Sequence, residues 1–394
     1  RLKKHLTNPK ISTNIRIMIP RLVEDLLYKS LTTRQKVHLL FGARQVGKTT
    51  LLTIIKRKLE TSGKRVLFLN CDIEEDRRSL DTTSLTVLKE LTKDYNYLFV
   101  DEIQRLTDPG LTLKVIHDNI PSINIAASGS SSFDIKNKSA ETLTGRFIDF
   151  TLYPLSIREI TQDRKNNQYL LPILLNFGSY PEIYLQGNQE EKKLYLRKIV
   201  ESYLFKDVLS YQKVRNPQAI MDLTKALAYQ IGAEVNENEL SYRLKIDRKT
   251  VVSYLEILEK TYIISRLYPY SKNPRREIGK NYKVYFLDLG IRNSLLGDFN
   301  PPHLRPDIGS IWENFLIIER RKKFAEKGKV MESYFWRSYS GAEVDYLERS
   351  DDKMAGYEMK WGKGGLSRGI KSFTSEYRIP VKLVNQSNFP EFVQ

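Results

Sequence analysis

The eight residues from Gly42 to Thr49, GARQVGKT, carry the spacing G-x-x-x-x-G-K-[ST]. That spacing suits phosphate. Glycines at both ends let the backbone N–H groups of Gly42, Ala43, Arg44, Gln45, Val46 and Gly47 curl around phosphate oxygens at the mouth of a helix. Lys48 then reaches the β- and γ-phosphates, and the Thr49 hydroxyl, with Thr50 beside it in the first helical turn, is placed to ligate Mg²⁺. The loop follows an apolar run, KVHLLF, and opens the helical pattern TLLTIIKRKLE, the context it requires. Further along, LFVDEIQ ends another apolar run in two acids. Asp101 would hold the Mg²⁺ shell and Glu102 would polarise an attacking water; the plain alternative is a solvated strand end. The two motifs together imply a site that binds ATP with Mg²⁺ and hydrolyses it.

Other residues are open to two readings. ASGSSS puts Ser128 and Ser130 after a further strand, where a hydroxyl either senses a γ-phosphate or caps a helix. Arg146, in LTGRF, is a candidate finger for a neighbouring subunit's γ-phosphate, or else part of a surface ion pair. Arg105 is the second candidate finger, and Arg44 reads equally as a solvated loop residue. Near the C-terminus, Asp345 ends AEVDYL and YEMK follows with Glu358 and Lys360. Alternation sets Glu358 and Lys360 on one strand face. Asp345 and Glu358 would hold Mg²⁺ with water, and Lys360 would polarise a phosphate. Glu313 and Glu343 are further carboxylates for that pocket. An Asp–Lys or Glu–Lys ion pair explains the same residues without catalysis.

These residues need elements to position them. KRVLFLNCD, YNYLFVDEIQ and NIAASG read as buried strands alternating with helical segments, which predicts an α/β fold with a parallel sheet covered by helices on both faces. RFIDFTLYPLSIREI closes this first unit, 1–160. Residues 161–215 read as mostly helical, and 216–280 as three short helical patterns followed by the strand-like YIISRLYPY. Residues 281–394 mix strands with a helix around Trp312 to Arg321. At 394 residues the chain exceeds one ordinary core. Its 64 Lys and Arg against 47 Asp and Glu, a net charge of +17, favour a polyanionic partner, DNA first. No apolar run approaches the ~20 residues of a membrane helix, so no membrane partner is expected. A lone cysteine, Cys71, excludes an intrachain disulfide and a Cys-based zinc site and fits a reducing cytoplasm.

The strings FGARQVGKTTLL, LFVDEIQR, ASGSSS, LTGRF with TLYPLSIREI, GSYPEIYL, YLFKDVL, YKVYFLDLGIRNSLLG, IWENFLIIE and AEVDYL run through nearly the whole chain. In these the protein resembles the prokaryotic AAA-type ATPases that carry a long C-terminal domain of uncharacterised function. The resemblance implies an AAA-like core (1–160), a helical lid (161–215), a winged helix (216–280) and a restriction-endonuclease-like, PD-(D/E)xK-type domain (281–394). It also implies a homo-oligomer, a hexamer by analogy with AAA proteins.

Within that frame, NENELSYRLKIDRKTVVSYLEILEK supplies a helix-turn-helix pattern. Asp247 is the expected N-cap, with Arg248 and Lys249 in the first turn of the next helix and Arg243 and Lys245 just before it. These four are the candidate DNA contacts; a winged helix used only for packing is the alternative. Three functions remain: a DNA-remodelling or DNA-processing ATPase, a nucleotide-gated signalling switch or assembly ATPase with an inactive nuclease-like domain, and a metal nuclease regulated by ATP.

Overall fold

The computed structural model describes residues 19–130, 143–161, 170–206, 208, 214, 216–271, 281–338, 341–350 and 353–394. The sequence reads residues 1–36 as a helical lead-in and SKNPRREIGK as a basic loop; residues 1–18 of the first and 272–280 of the second lie outside the described residues.

The first unit opens with helix α1 (Val23–Thr33), whose Val23, Leu27 and Leu31 share one buried face by their four-residue spacing. Strand β1 (Val37–Phe41), helix α2 (Lys48–Thr61), β2 (Val66–Asn70), α3 (Glu74–Leu80), α4 (Leu85–Thr92), β3 (Tyr97–Asp101), α5 (Pro109–Asn119), β4 (Asn124–Gly129) and β5 (Phe147–Thr151) follow. All five strands are parallel, in the order β2-β3-β4-β1-β5. Every residue of β1 and β3 is buried, because helices cover both faces of the sheet. The order inserts β4 between the strand that feeds the phosphate loop and the strand that carries Asp101. All parallel strands point one way, so the loop after β1, the acids after β3 and Ser128 of β4 meet at one sheet edge.

A short helix, α6 (Ile157–Ile160), ends this unit on a capping box: Ser156 and Glu159 bond each other's backbone N–H. Helices α7 (Leu171–Phe177), α8 (Pro181–Leu185) and α9 (Gln189–Lys206) form the expected helical segment. Next come α10 (Pro217–Tyr229), β6 (Glu234–Val235), α11 (Glu237–Leu244), α12 (Arg248–Lys260), β7 (Ile264–Pro269) and β8 (Tyr282–Phe286). Asp247 caps α12, accepting from Thr250 N at 2.9 Å, and Val251, Leu255 and Leu258 are buried along its inner face. The C-terminal run is α13 (Leu289–Leu296), α14 (Ile308–Glu326), β9 (Glu332–Arg337), β10 (Glu343–Ser350), β11 (Lys353–Met359), α15 (Arg368–Tyr377), β12 (Val381–Val384) and α16 (Phe389–Val393).

The expected division at residue 280 falls inside a sheet. Seven strands run in the order β12-β11-β10-β9-β7-β8-β6. β8 lies beyond that division but pairs antiparallel with β7, Ile264 opposite Phe286. β7 also pairs parallel with β9. The sequence around position 280 is polar, and polarity along the chain does not reveal which strands share hydrogen bonds.

Helix α14 docks this sheet onto the first unit. Its buried Glu319 accepts from Ile157 N at 2.7 Å, and its buried Lys322 donates to Leu155 O at 2.9 Å and Ser179 Oγ at 3.1 Å. Among the described residues, no helix is long and apolar enough to cross a membrane. On the same helix, Asn314 is 1% exposed and mimics a strand: its amide accepts from Phe286 N and donates to Phe286 O, both at 2.8 Å. Asn314→Ala is expected to leave both buried backbone groups unmatched and to lower unfolding free energy by about 2–4 kcal/mol in urea titration.

Candidate functional site

The phosphate loop is shaped by sterics. Gly42 has φ +154°, and a Cβ there would lie 2.2 Å from Leu152 O. Gly47 takes φ +99° as the first residue before α2 and has no side chain to bond the helix's open N–H groups. Those N–H groups therefore remain available to an anion. Arg21 supports the loop from below, with Nη1 on Val46 O and Nη2 on Tyr153 O, each at 2.7 Å. Its Nε meets Glu159 Oε1 at 3.0 Å.

The sheet edge brings most of the expected residues together. Lys48 is buried, with Nζ on Gly42 O at 2.9 Å and Ala43 O at 2.8 Å. Thr49 Oγ1 donates to Asp101 Oδ2 at 2.6 Å, and Ser128 Oγ donates to Asp101 Oδ1. Ser128 lies inside β4, so it serves the acid and caps no helix. Glu102 follows β3 in the left-handed region, φ 53°, which turns its side chain away from the line of the strand. Gln104 donates to Glu102 and to Ser130 Oγ, the latter at 3.0 Å. Arg44 is half-buried, whereas Gln45, Thr49 and Thr50 are exposed.

The cradle that tolerates no Cβ at Gly42, the uncapped helix and the Thr49–Asp101 pair fit a nucleotide triphosphate with Mg²⁺. Lys48, Thr49 and the backbone of 42–47 would hold the phosphates, Thr49 and Asp101 the metal shell. Bound Mg²⁺ would supply charge neutralisation at the phosphates. Sequence reasoning missed Arg21 and Gln104. Gln104 was visible two residues after Glu102, but only the turn reveals its bridging role.

Arg146 does not join this edge. It precedes β5, at the opposite end of the parallel sheet, and its Nε meets Asp118 at 2.8 and 3.1 Å. Arg146, then His117, holds the Asp118 carboxyl down to about 2. Arg105 Nε bonds Asp72 at 2.9 Å.

The C-terminal residues form a second polar cluster. Glu358 Oε1 meets Lys360 Nζ at 3.0 Å, and its Oε2 accepts from Ser367 N at 2.8 Å. Asp345 Oδ2 accepts from Met359 N at 2.7 Å, next to both. Glu313 reaches across from α14 and accepts from Lys283 Nζ at 3.0 Å and from Tyr285. Lys283 also pairs with Glu343, and its side chain is 3% exposed. Burial alone would lower the Lys283 pKa, but Glu313 and Glu343 hold it above its ordinary value. Burial, then repulsion from Glu313, pushes Asp345 up to about 7. Sequence reasoning missed Lys283 and Tyr285, which sit on β8 beyond the expected winged-helix unit. Among the described residues, no group of three His, Cys, Asp or Glu side chains is arranged to hold a metal ion.

The basic residues of 243–249 are exposed, but two have acidic partners. Arg248 Nη2 meets Glu237 at 2.7 Å and Arg243 Nε meets Glu239 at 3.2 Å. Lys245 ends α11 in the left-handed region, and Lys249 is exposed.

Comparison with known proteins agrees with the first site. Residues 34–161 match a family model described as an AAA domain. The parallel sheet and the phosphate loop lie within this stretch, which is similar to an AAA domain. Residues 169–301 and 308–389 match two models described as domains of unknown function, DUF8612 and DUF4143. The chain is 25% identical over 366 residues to the uncharacterized protein Rv2008c of Mycobacterium tuberculosis, covering 91% of this chain and 78% of that protein. It is 27% identical over 344 residues to the uncharacterized protein MJ1544 of Methanocaldococcus jannaschii, covering 81% and 73%. Among solved structures, the Walker-type ATPase PABY2304 of Pyrococcus abyssi aligns with a TM-score of 0.48 at 16% identity, over 71% of this chain and 96% of that one.

Two outcomes test this geometry. Lys48→Ala should abolish binding of a fluorescent ATP analogue, whereas Glu102→Gln should keep binding and slow turnover by ~10²–10⁴-fold, as losing a positioned base does. For Asp345 the folded carboxyl titrates near 7 and the unfolded one near 3.8, so the native state holds its proton longer. Stability therefore falls as pH rises through that window. Asp345→Asn removes this term, and its melting temperature should gain on wild type between about pH 5 and about pH 8.

Proposed function

We propose that this chain is a Mg²⁺-dependent AAA-type ATPase that binds and remodels or processes DNA. The observation that carries the ATPase reading is the Asp101 carboxylate, held by Thr49 and Ser128 beneath the Lys48 loop. In the reaction, Lys48 and the loop amides bind the phosphates, Asp101 keeps Thr49 oriented, and Glu102, steadied by Gln104, accepts a proton from water. Ser128, fixed by Asp101 at the same edge, is a candidate sensor of the γ-phosphate.

Three features support the DNA reading. The net charge is +17. The order α10-β6-α11-α12-β7-β8 is that of a winged helix, with Arg243, Lys245, Arg248 and Lys249 at or before the first turn of α12. The order α14-β9-β10-β11-α15-β12, with Asp345, Glu358 and Lys360 meeting between β10 and β11, is that of a restriction-endonuclease-like core. Arg146 lies far from its own chain's P-loop, so as a finger it would serve a neighbour in a homo-oligomer, a hexamer by analogy with AAA proteins.

One observation favours a second reading, a switch or assembly ATPase with an inactive nuclease-like domain. The Lys283 ammonium already pairs with Glu313 and Glu343, beside Asp345, where a nuclease needs Mg²⁺.

Steady-state hydrolysis with single-stranded, duplex and branched DNA, scored on the same samples for nicking with Mg²⁺ or Mn²⁺, decides between them. The first reading expects DNA to stimulate turnover, and slow turnover indifferent to every DNA rejects it. Metal-dependent nicking that survives Lys48→Ala and is lost in Asp345→Ala and Lys360→Ala would assign a nuclease site independent of ATP. If wild type does not nick, Lys283→Met is expected to let the acid cluster bind Mn²⁺, read by electron paramagnetic resonance.

A further inference from the structure

A cleft of about 620 Å³ opens between the ATPase domain and the C-terminal unit. Its walls are α1 and β5 on one side, and the end of α14 with the loop to β9 on the other. Lys29 and Arg34 line it from the ATPase side, and Arg321, Lys327 and Lys329 from the opposite wall. Asp149 alone is acidic among the lining residues. Lys58, on the same domain, by contrast pairs with Glu24 and Asp25. Among the described residues, none of the five cleft cations pairs with a carboxylate; Arg321 bonds the Tyr153 hydroxyl. Gly328, at φ +63°, brings the loop so close to α1 that a Cβ there would lie 2.8 Å from Leu26 Cδ2, which fixes Lys327 and Lys329 opposite Lys29.

Five positive charges around one opening repel each other unless an anion joins them. The chemistry of the walls selects the kind of anion. Lys29, Lys327 and Lys329 are exposed along the rim as separate point charges on flexible stems, with the exposed Arg34 guanidinium beside them. That arrangement matches successive phosphates on a chain. A duplex, whose major groove alone is ~12 Å wide, would stay on the rim, whereas a single strand can enter.

We propose that this cleft binds the phosphate backbone of single-stranded nucleic acid. The inference rests on the DNA reading above and names a surface for it that is separate from α12. Tyr346 lines the cleft and stands next to Asp345 in the chain, at the irregularity in the β9–β10 pairing. Because each wall belongs to a different unit, a bound strand also bridges them.

The test is fluorescence anisotropy of a labelled oligothymidine and of a matched duplex, across a salt series, with the full chain. Lys29→Glu/Lys327→Glu/Lys329→Glu is expected to lower single-strand affinity by at least about tenfold and to flatten the slope of log affinity against log salt by about 2, at ~0.7 per lost phosphate contact. Duplex affinity should change less, and basal ATP hydrolysis should be unchanged. If the reversed variant melts early, Lys29→Gln/Lys327→Gln/Lys329→Gln is read instead, and full single-strand affinity there overturns the proposal. Wild-type binding that the cleft variant reproduces, while Arg248→Glu/Lys249→Glu abolishes it, would sink the cleft and leave the DNA reading standing. No binding of either DNA by wild type would sink both. Displacement of the oligonucleotide by micromolar inorganic pyrophosphate would reassign the cleft to a small anion.

Discussion

Arg21 and Glu159 form a buried ion pair on which both halves of the molecule lean. Glu159 accepts from Arg21 Nε, from Leu22 N at 2.9 Å and from Ser156 N at 3.0 Å. A carboxylate with three donors tolerates burial that an unpaired one does not. Arg21 carries the phosphate loop through Val46 O, and the same capping box aims Ile157 N at Glu319 of α14. The loop that meets phosphate and the helix that carries the second sheet are thus tied to one charge pair. Displacement of the loop would be felt at α14 through hydrogen bonds and not through loose linkers.

The second sheet extends that continuity. A sheet shared by seven strands cannot divide at residue 280 without breaking the β7–β8 and β7–β9 ladders. The string YFLDLGIRN, prominent in the sequence, is a junction in the structure. Asp288 caps α13 and accepts from Ser179 N at 2.7 Å. Arg292 donates to Ala228 O at 2.8 Å and meets Asp307 at 2.7 Å. Asn293 donates to Leu175 O and Asn176 O, both at 2.9 Å. Three buried polar side chains therefore fasten the helical segment, α10 and the start of α14 to one another. This explains why such polar residues stand in an otherwise apolar run.

The two polar sites solve burial in opposite ways. At the nucleotide site, Asp101 accepts from the neutral hydroxyls of Thr49 and Ser128, and Lys48 donates to the loop carbonyls of Gly42 and Ala43. At the C-terminal site, Lys283 pairs with both Glu313 and Glu343, and Lys360 with Glu358. Asp345, which makes no ion pair among the described residues, keeps its proton up to about 7. The first site meets its charges with neutral groups, and the second with ion pairs.

Much of the first site was legible in the sequence because its physics is local. A glycine-bounded loop between an apolar strand and a helix has few ways to fold, and acids at the end of a buried strand must emerge at the sheet edge. The N-cap at Asp247 and the shared face of Glu358 and Lys360 follow from helical and strand periods in the same way. Contacts between distant segments were not legible. Arg21 meets Glu159 across 138 positions, and Lys283 meets Glu313 across 30. Arg146, Arg243 and Arg248 had the right charge in plausible places, but neighbouring acids hold them, and charge alone does not show its partner. The continuous sheet across residue 280 depends on which strand edges pair, and a strand's own residues look the same whichever neighbour they bond. The sequence by itself determined which residues can do chemistry within a few turns of chain; the tertiary structure alone decided which buried charges meet, because that depends on packing at long separation and not on local period.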